Sequence, residues 1–238
     1  MNVKELLKKE GIEGYDRSLY QVIRRNWDKV AKPLDSMGIF EPVIAQIGAI
    51  QHTEHPEFEK LAVIVFAADN GVVEEGVSQA GQEVTAICAE NMCKGLTSVC
   101  VMAKASSIET KIVDIGLAGP VVHPNLIEKN VRRGTRNFRK EPAMTKEEVY
   151  QAMEVGFQLA VAQKRAGYDA IGVGEIGIGN TTTSSAAAAA LLHKEVRLVT
   201  GYGAGLSDEG LKRKVGVISE SLAKHRLYDA DPLTVLQT

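Results

Sequence analysis

Four short runs of this chain are apolar almost without interruption: Leu61–Ala68 (LAVIVFAA), Lys111–Ile115 (KIVDI), Ala170–Val173 (AIGV) and Val196–Thr200 (VRLVT). Each leads into a glycine or a turn residue, and continuous apolarity predicts strands buried on both faces. Between them the period lengthens to that of helices. In Thr145–Gly167, one stripe collects Val149, Ala152, Met153, Gly156, Phe157, Ala160 and Val161, with Thr145 and Glu148 at capping-box spacing and Gly167 at the C-cap. A helix is expected from Glu83 to about Ala105. Another starts near Ser207, with Asp208 and Glu209 in its positive first turn, Leu211, Val215, Ile218 and Leu222 on one face, and Lys224 and Arg226 near its end. Asp231 and Pro232 open a last one. The alternation predicts an α/β fold, a doubly wound and mostly parallel sheet with helices on both faces. Residues 1–55 read as a small helical layer broken at Pro33 and Pro42, and residues 56–238 as an α/β nucleotide-binding domain.

Composition narrows the function. Twenty-eight Lys and Arg against thirty Asp and Glu leave a net charge of −2 with no basic face or block of like charge, which removes the usual electrostatic reason for a nucleic-acid or membrane partner. A small-molecule site fits better. Cys88, Cys93 and Cys100 lie in an apolar stretch without a CxxC pair, so they read as reduced, buried residues. His52, His55, His123, His193 and His225 show no HExxH spacing, and no metal is expected. The N-terminus is charged where a signal peptide would be apolar, and no apolar run approaches the roughly 20 residues that span a bilayer, so a cytoplasmic protein is expected.

The chemistry concentrates in Tyr168–Lys194, YDAIGVGEIGIGNTTTSSAAAAALLHK, which runs from strand through a glycine turn and hydroxyl-rich helix start to an alanine-rich helix. A helix N-terminus offers unpaired N–H groups and positive potential, glycines admit a ligand to the backbone, and Thr181, Thr182 and Thr183 can cap or donate, so phosphate or a phosphorylated sugar is the natural occupant. Gly172, Gly174 and Gly177 satisfy GxGxxG, but Thr200 stands where a dinucleotide-binding fold wants a carboxylate. Asn180 replaces the lysine of a nucleotide-triphosphate P-loop. Glu175 opposes an anion unless it faces a hydroxyl or a cationic ring, pairs with an arginine or points to solvent. Asp69, in Asp69-Asn70-Gly71, ends the first strand where open sheets gather ligands, although the tripeptide is equally a turn. Asp114 is a similar position, and Gly76–Gln82 is a loop that lines a pocket or merely connects. Arg132, Arg133 and Arg136 either hold an anion or pair with acids such as Glu141. Lys212, Arg213 and Lys214 sit early on their helix, where the dipole disfavours cations, which favours an anionic partner for one of them.

The segments FAADNGVVEEGVS, EVTAICAENMCKG, IVDIGLAGP, RRGTRNF with PAMT, GVGEIGIGNTTT and GYGAGL follow one another as in nicotinate-nucleotide:dimethylbenzimidazole phosphoribosyltransferases, and KPLDSMGIFEPVIAQI resembles that family's N-terminal segment. The resemblance implies transfer of ribose phosphate from nicotinate mononucleotide to a benzimidazole-type base, giving α-ribazole 5′-phosphate and nicotinate for a cobamide lower ligand. It implies no metal or cofactor, a small helical domain beside the α/β domain, and a homodimer. Carried over, Gly177, Gly179, Asn180, Thr181 and Lys214 would hold the nucleotide phosphate, and Glu175 would lie against the ribose or nicotinate. The loop from Val77 to Cys88 would line the base pocket, with Ala80 in it and Asp69 at its border. Asn70 stands where many members have His, and Ala80 and Cys88 where some have Ser and Gln, so the preferred base is expected to differ. The family continues past DPLTVL to a motif resembling LGEGTGA whose Glu acts as general base; this chain has no LGEG. Two readings stay open: a transferase with impaired turnover, its candidate base Glu175, or a non-catalytic nucleotide- or base-binding subunit or remnant, with a separate C-terminal chain as partner.

Overall fold

The computed structural model describes residues 14–238; the helical expectation for residues 1–13 lies outside them. The chain divides into two compact units, Met1–Glu59 and Lys60–Thr238.

In the first unit, α1 (Arg17–Asp28) and α2 (Phe40–Gln51) pack together. Asp16 caps α1 by accepting the Ser18 and Leu19 N–H groups. The helices meet closely at Gly48, where a Cβ would lie 2.6 Å from Ile23 Cδ1. Pro42 does not break the chain as expected: it occupies the first turn of α2, where a missing N–H leaves no bond unmade. Glu41 beside it is wholly buried, its carboxylate 2.6 Å from Lys32 Nζ and 2.9 Å from Arg24.

The second unit is built on a parallel four-stranded sheet. β1 (Leu61–Ala68) lies between β2 (Glu109–Gly116) and β4 (Ala170–Ile176), with β3 (Leu126–Glu128) outside β2. In register, Val65 faces Ile112 on one side and Gly174 on the other. Both faces of β1 are covered, Val65 and Ala67 toward Cys93 and Ala89 of α3 (Glu83–Cys93), Ala62 and Ile64 on the opposite face. A second core joins α6 (Asn180–Leu192), α7 (Val196–Val199) and α8 (Asp208–Lys224) through Ala186, Ala189, Val196, Val217, Ile218 and Leu222.

The capping box at Thr145 is present on α5 (Lys146–Arg165), and Gly167 takes φ +78° just beyond it. Asp231 caps α9 (Pro232–Gln237). Four expectations are corrected. The helix from Glu83 stops at Cys93, because Gly95 turns left-handed at φ +76°, and restarts as α4 (Ser98–Ala105). Val196–Thr200 is no strand: it closes as a helical turn, Thr200 Oγ1 donating to Val196 O at 2.6 Å, because Val196 packs into the helical core rather than onto the sheet. No strand follows α6 among the described residues, so Thr200 is not at a strand end. β4 is buried on neither face along its length; it borders the sheet and Val173 is 71% exposed. β3, at three residues, is too short to announce itself.

The strand order positions the site. From β1 the chain steps outward to β2 and β3, then returns to place β4 on the other side of β1. The loops leaving β1 and β4 therefore part, and a crevice opens at the carboxyl ends of these two strands.

One prediction concerns acid stability. Lys32 above all, then Arg24 and the Met37 N–H, hold the Glu41 carboxyl down from 4.5 to about 2. The stability this carboxylate contributes is complete above its unfolded value and is lost as pH falls from 4.5 toward 2. Circular dichroism across that range should show the first unit losing stability in the parent chain, and a Glu41→Gln variant that is weaker at neutral pH but flat through the same interval.

Candidate anion and base site

The crevice is shaped by two glycines. Gly177 follows β4 so closely against β1 that a Cβ there would sit 2.0 Å from the Ala68 carbonyl oxygen. Gly179 adopts φ +88°, and a side chain would meet Val73 at 2.7 Å. Together they bring the backbone round into the first turn of α6, whose N-terminus faces the crevice.

Four stretches converge there. A pocket is lined by Val77, Ser78 and Gln79 after β1, by Ile178, Gly179, Asn180 and Thr181 at the start of α6, and by Tyr202, Ala204 and Leu206 from the glycine-rich loop before α8. Lys214 of α8 is not among the lining residues but lies directly behind Thr181 and brings a positive charge close to the pocket. Its side chain is wholly buried, donating to Thr181 Oγ1 at 2.8 Å and to the Gly201 carbonyl at 3.1 Å. No carboxylate pairs with it among the described residues, and burial pushes its pKa below the ordinary lysine value. Gly203, at φ +62°, lets its loop approach: a Cβ would lie 2.8 Å from Thr181 Oγ1. Gln79 donates to the Gly205 carbonyl, which fastens the two loops across the pocket, and Arg213 of α8 donates to the Gly76 carbonyl.

A buried ammonium with neutral partners, beside a helix N-terminus, is suited to bind an anion. At the pocket's edge Glu175, exposed on β4, accepts a 2.6 Å bond from Asn180 Nδ2, while Asn180 Oδ1 accepts the Thr181 N–H at 2.8 Å.

Of the residues proposed from the sequence, Gly179, Asn180, Thr181 and Val77 line this pocket, Lys214 reaches Thr181, and Gly177 shapes the turn leading in. Asp69, Ala80 and Cys88 are not among the lining residues. Asp69 is buried, one oxygen accepting the Ala118 N–H at 2.9 Å, the other without a hydrogen-bond partner. Ala80 is half-buried in the loop before α3, and Cys88 half-buried on that helix. The arginines pair with acids: Arg136 and Arg132 with Glu148 at 3.0 and 3.3 Å, Arg136 with Glu141 and Arg133 with Asp114 each at 3.9 Å. Among the described residues no group of three or more His, Cys, Asp or Glu could hold a metal ion, and no helix is long and apolar enough to cross a membrane. Gln79 lies in the loop that the sequence offered as a pocket lining, and it does line the pocket; no lining role was given to the Tyr202–Leu206 loop, although its alternating glycines were a sign of unusual backbone.

A phosphoribosyltransferase family model matches residues 12–238. The nicotinate-nucleotide–dimethylbenzimidazole phosphoribosyltransferase of Clostridium acetobutylicum is 37% identical over 236 residues, covering 99% of this chain and 66% of that protein. The chain belongs to the nicotinate-nucleotide:dimethylbenzimidazole phosphoribosyltransferase family. A second phosphoribosyltransferase of this family, from Acetivibrio thermocellus, is 39% identical over 215 residues, 90% of this chain and 61% of its own length. The crystal structure of CobT from Thermus thermophilus superposes with a TM-score of 0.86 at 36% identity, over 92% of this chain and 66% of that one. The chain thus spans about two thirds of the length of the phosphoribosyltransferases it matches.

Lys214 makes a two-sided prediction. Its lowered pKa means that the unfolded chain holds the proton more tightly, so stability of the parent should rise with pH on approaching 10.5, the ordinary lysine value. Lys214→Met should abolish that rise and leave the fold at least as stable, because an unpaired buried charge has been replaced by an apolar chain. The same variant should lose phosphate and nicotinate mononucleotide binding by calorimetry, about 10-fold or more.

Proposed function

We propose that this chain binds nicotinate mononucleotide and transfers its ribose 5-phosphate to a benzimidazole-type base, giving α-ribazole 5′-phosphate and nicotinate for the lower ligand of a cobamide. The observation that carries the reading is Lys214, a wholly buried cation with no carboxylate beside it, set at the first turn of α6 in a chain of this family. The nucleotide phosphate lies on Gly177, Gly179, Asn180 and Thr181 with Lys214 as its counter-charge. The loop from Val77 toward Cys88, with Ala80 in it and Asp69 behind it, forms the side on which the base binds.

The reaction asks little of the protein beyond placement and one proton acceptor. A ring-nitrogen lone pair of the base attacks C1′ of the ribose. The bond from C1′ to the nicotinate ring breaks, and its electron pair neutralises the pyridinium, which makes nicotinate a good leaving group. The second azole nitrogen then gives up its proton. Glu175, exposed at the pocket's edge and two residues before Gly177, is the candidate acceptor in this chain. The family relationship supports a homodimer working in the cytoplasm, with no cofactor.

A second reading is favoured by the exposed border strand β4. In it the chain is a non-catalytic nucleotide- or base-binding subunit, and the exposed face of β4 is where a partner packs.

Incubation of the purified chain with nicotinate mononucleotide and a panel of benzimidazoles and purines, followed by chromatography and mass analysis, separates the two. Nicotinate release matched by a riboside phosphate is the expected outcome, with Glu175→Gln slowing it roughly 10²- to 10⁴-fold, the usual share of a general base. Nucleotide binding without product would favour the subunit reading instead.

A further inference from the structure

The glycine turn is not held by its own backbone alone. Ile178, between the two glycines that shape it, has both of its polar main-chain groups taken by side chains, one from the β1–α3 connection and one from α3 itself. Its N–H donates to Thr85 Oγ1 at 3.0 Å, and its carbonyl accepts from Asn70 Nδ2 at 3.2 Å. Thr85 is wholly buried on α3. Asn70 is used at both ends, since its Oδ1 also accepts the Thr183 hydroxyl of α6 at 2.9 Å. Its own carbonyl accepts from Gln82 at 3.1 Å, which ties it to the start of α3.

The arrangement is specific in chemistry. The two peptide planes that meet at Ile178 are each pinned, the first at its N–H and the second at its C=O, so neither turns freely, and Ile178 and the next residues, Gly179 to Thr181, line the pocket. Glycines give this turn freedom that must be removed before their N–H groups aim at a ligand. We propose that Thr85 and Asn70 are positioning residues: they lock the two peptide planes on either side of Ile178 and so set the direction in which the start of α6 meets the phosphate, without touching the phosphate themselves. This rests on the phosphate site proposed above. An ionised Asp at position 70 would not serve, because it could accept from the hydroxyl but not donate to the carbonyl.

The test compares Thr85→Val, which keeps the shape but removes the acceptor, with Thr85→Ser, which restores it, and with Ile112→Ala, a core change on β2 away from the turn. Three quantities are measured on each full-length variant: melting temperature, calorimetric affinity for nicotinate mononucleotide and for inorganic phosphate, and hydrogen exchange of the Ile178 amide by NMR. Thr85→Val is expected to speed exchange at Ile178 and to weaken both ligands about 10-fold, Thr85→Ser to return both toward the parent, and Ile112→Ala to melt earlier with affinities intact. Asn70→Asp should weaken binding further than Thr85→Val.

Unchanged affinity in Thr85→Val would overturn the proposal, as would an equal loss in Ile112→Ala, which would make the effect one of stability alone. If the parent chain binds neither ligand, the function proposed above fails. The exchange at Ile178 then decides the lock by itself, and an amide no faster in Thr85→Val than in the parent would dismiss it.

Discussion

The crevice depends on how closely the end of β4 can approach the end of β1. The Gly177 Cα lies against the Ala68 carbonyl with no room for a side chain, and any larger residue would push the turn away from the sheet. From that contact follow the aim of α6 into the crevice, the position of Thr181, and the place to which Lys214 must reach. Strand order supplies the opening and glycine the proximity; the charge comes from a different helix, about 35 residues further along the chain. No single motif contains the site.

The arrangement also explains why Lys214 is tolerated. A buried ammonium is unfavourable unless something nearby offsets its desolvation, and two neutral oxygens do so incompletely. On the function proposed above, the phosphate would relieve that imbalance. By contrast Glu41, equally buried in the other unit, is met by Lys32, Arg24 and a backbone N–H, and is satisfied within the protein. The comparison separates a charge met by opposite charges from one met only by neutral oxygens.

Much of this was legible in the sequence. Local signals with a physical cause survived intact: the Thr145 capping box, Asp231 before Pro232, and the glycine turn leading into a hydroxyl-rich helix. Lys214 could be singled out because the dipole disfavours a cation so early in a helix. The signals that failed depend on what lies across from a segment. VRLVT has the composition of a strand, but its valine is buried by helices, and AIGV looks doubly buried although it borders the sheet. The hydrogen bonds of Gln79, Thr85 and Asn70 could not be read at all, since each acts on a residue about 100 positions away or more, across a strand pairing that sequence does not specify.

On the function proposed above, Asn180 would give the site a particular kind of selectivity. Its side-chain oxygen already accepts the Thr181 N–H, so an anion that takes this group exchanges one hydrogen bond for another and gains little from the count. What Asn180 cannot imitate is charge. On the function proposed above, the favourable balance would come from the charge of Lys214, and the cradle would rank its guests by valence more than by outline. A phosphate monoester, which takes up its second proton near pH 6, would be gripped as a dianion and progressively released as the medium turns acid.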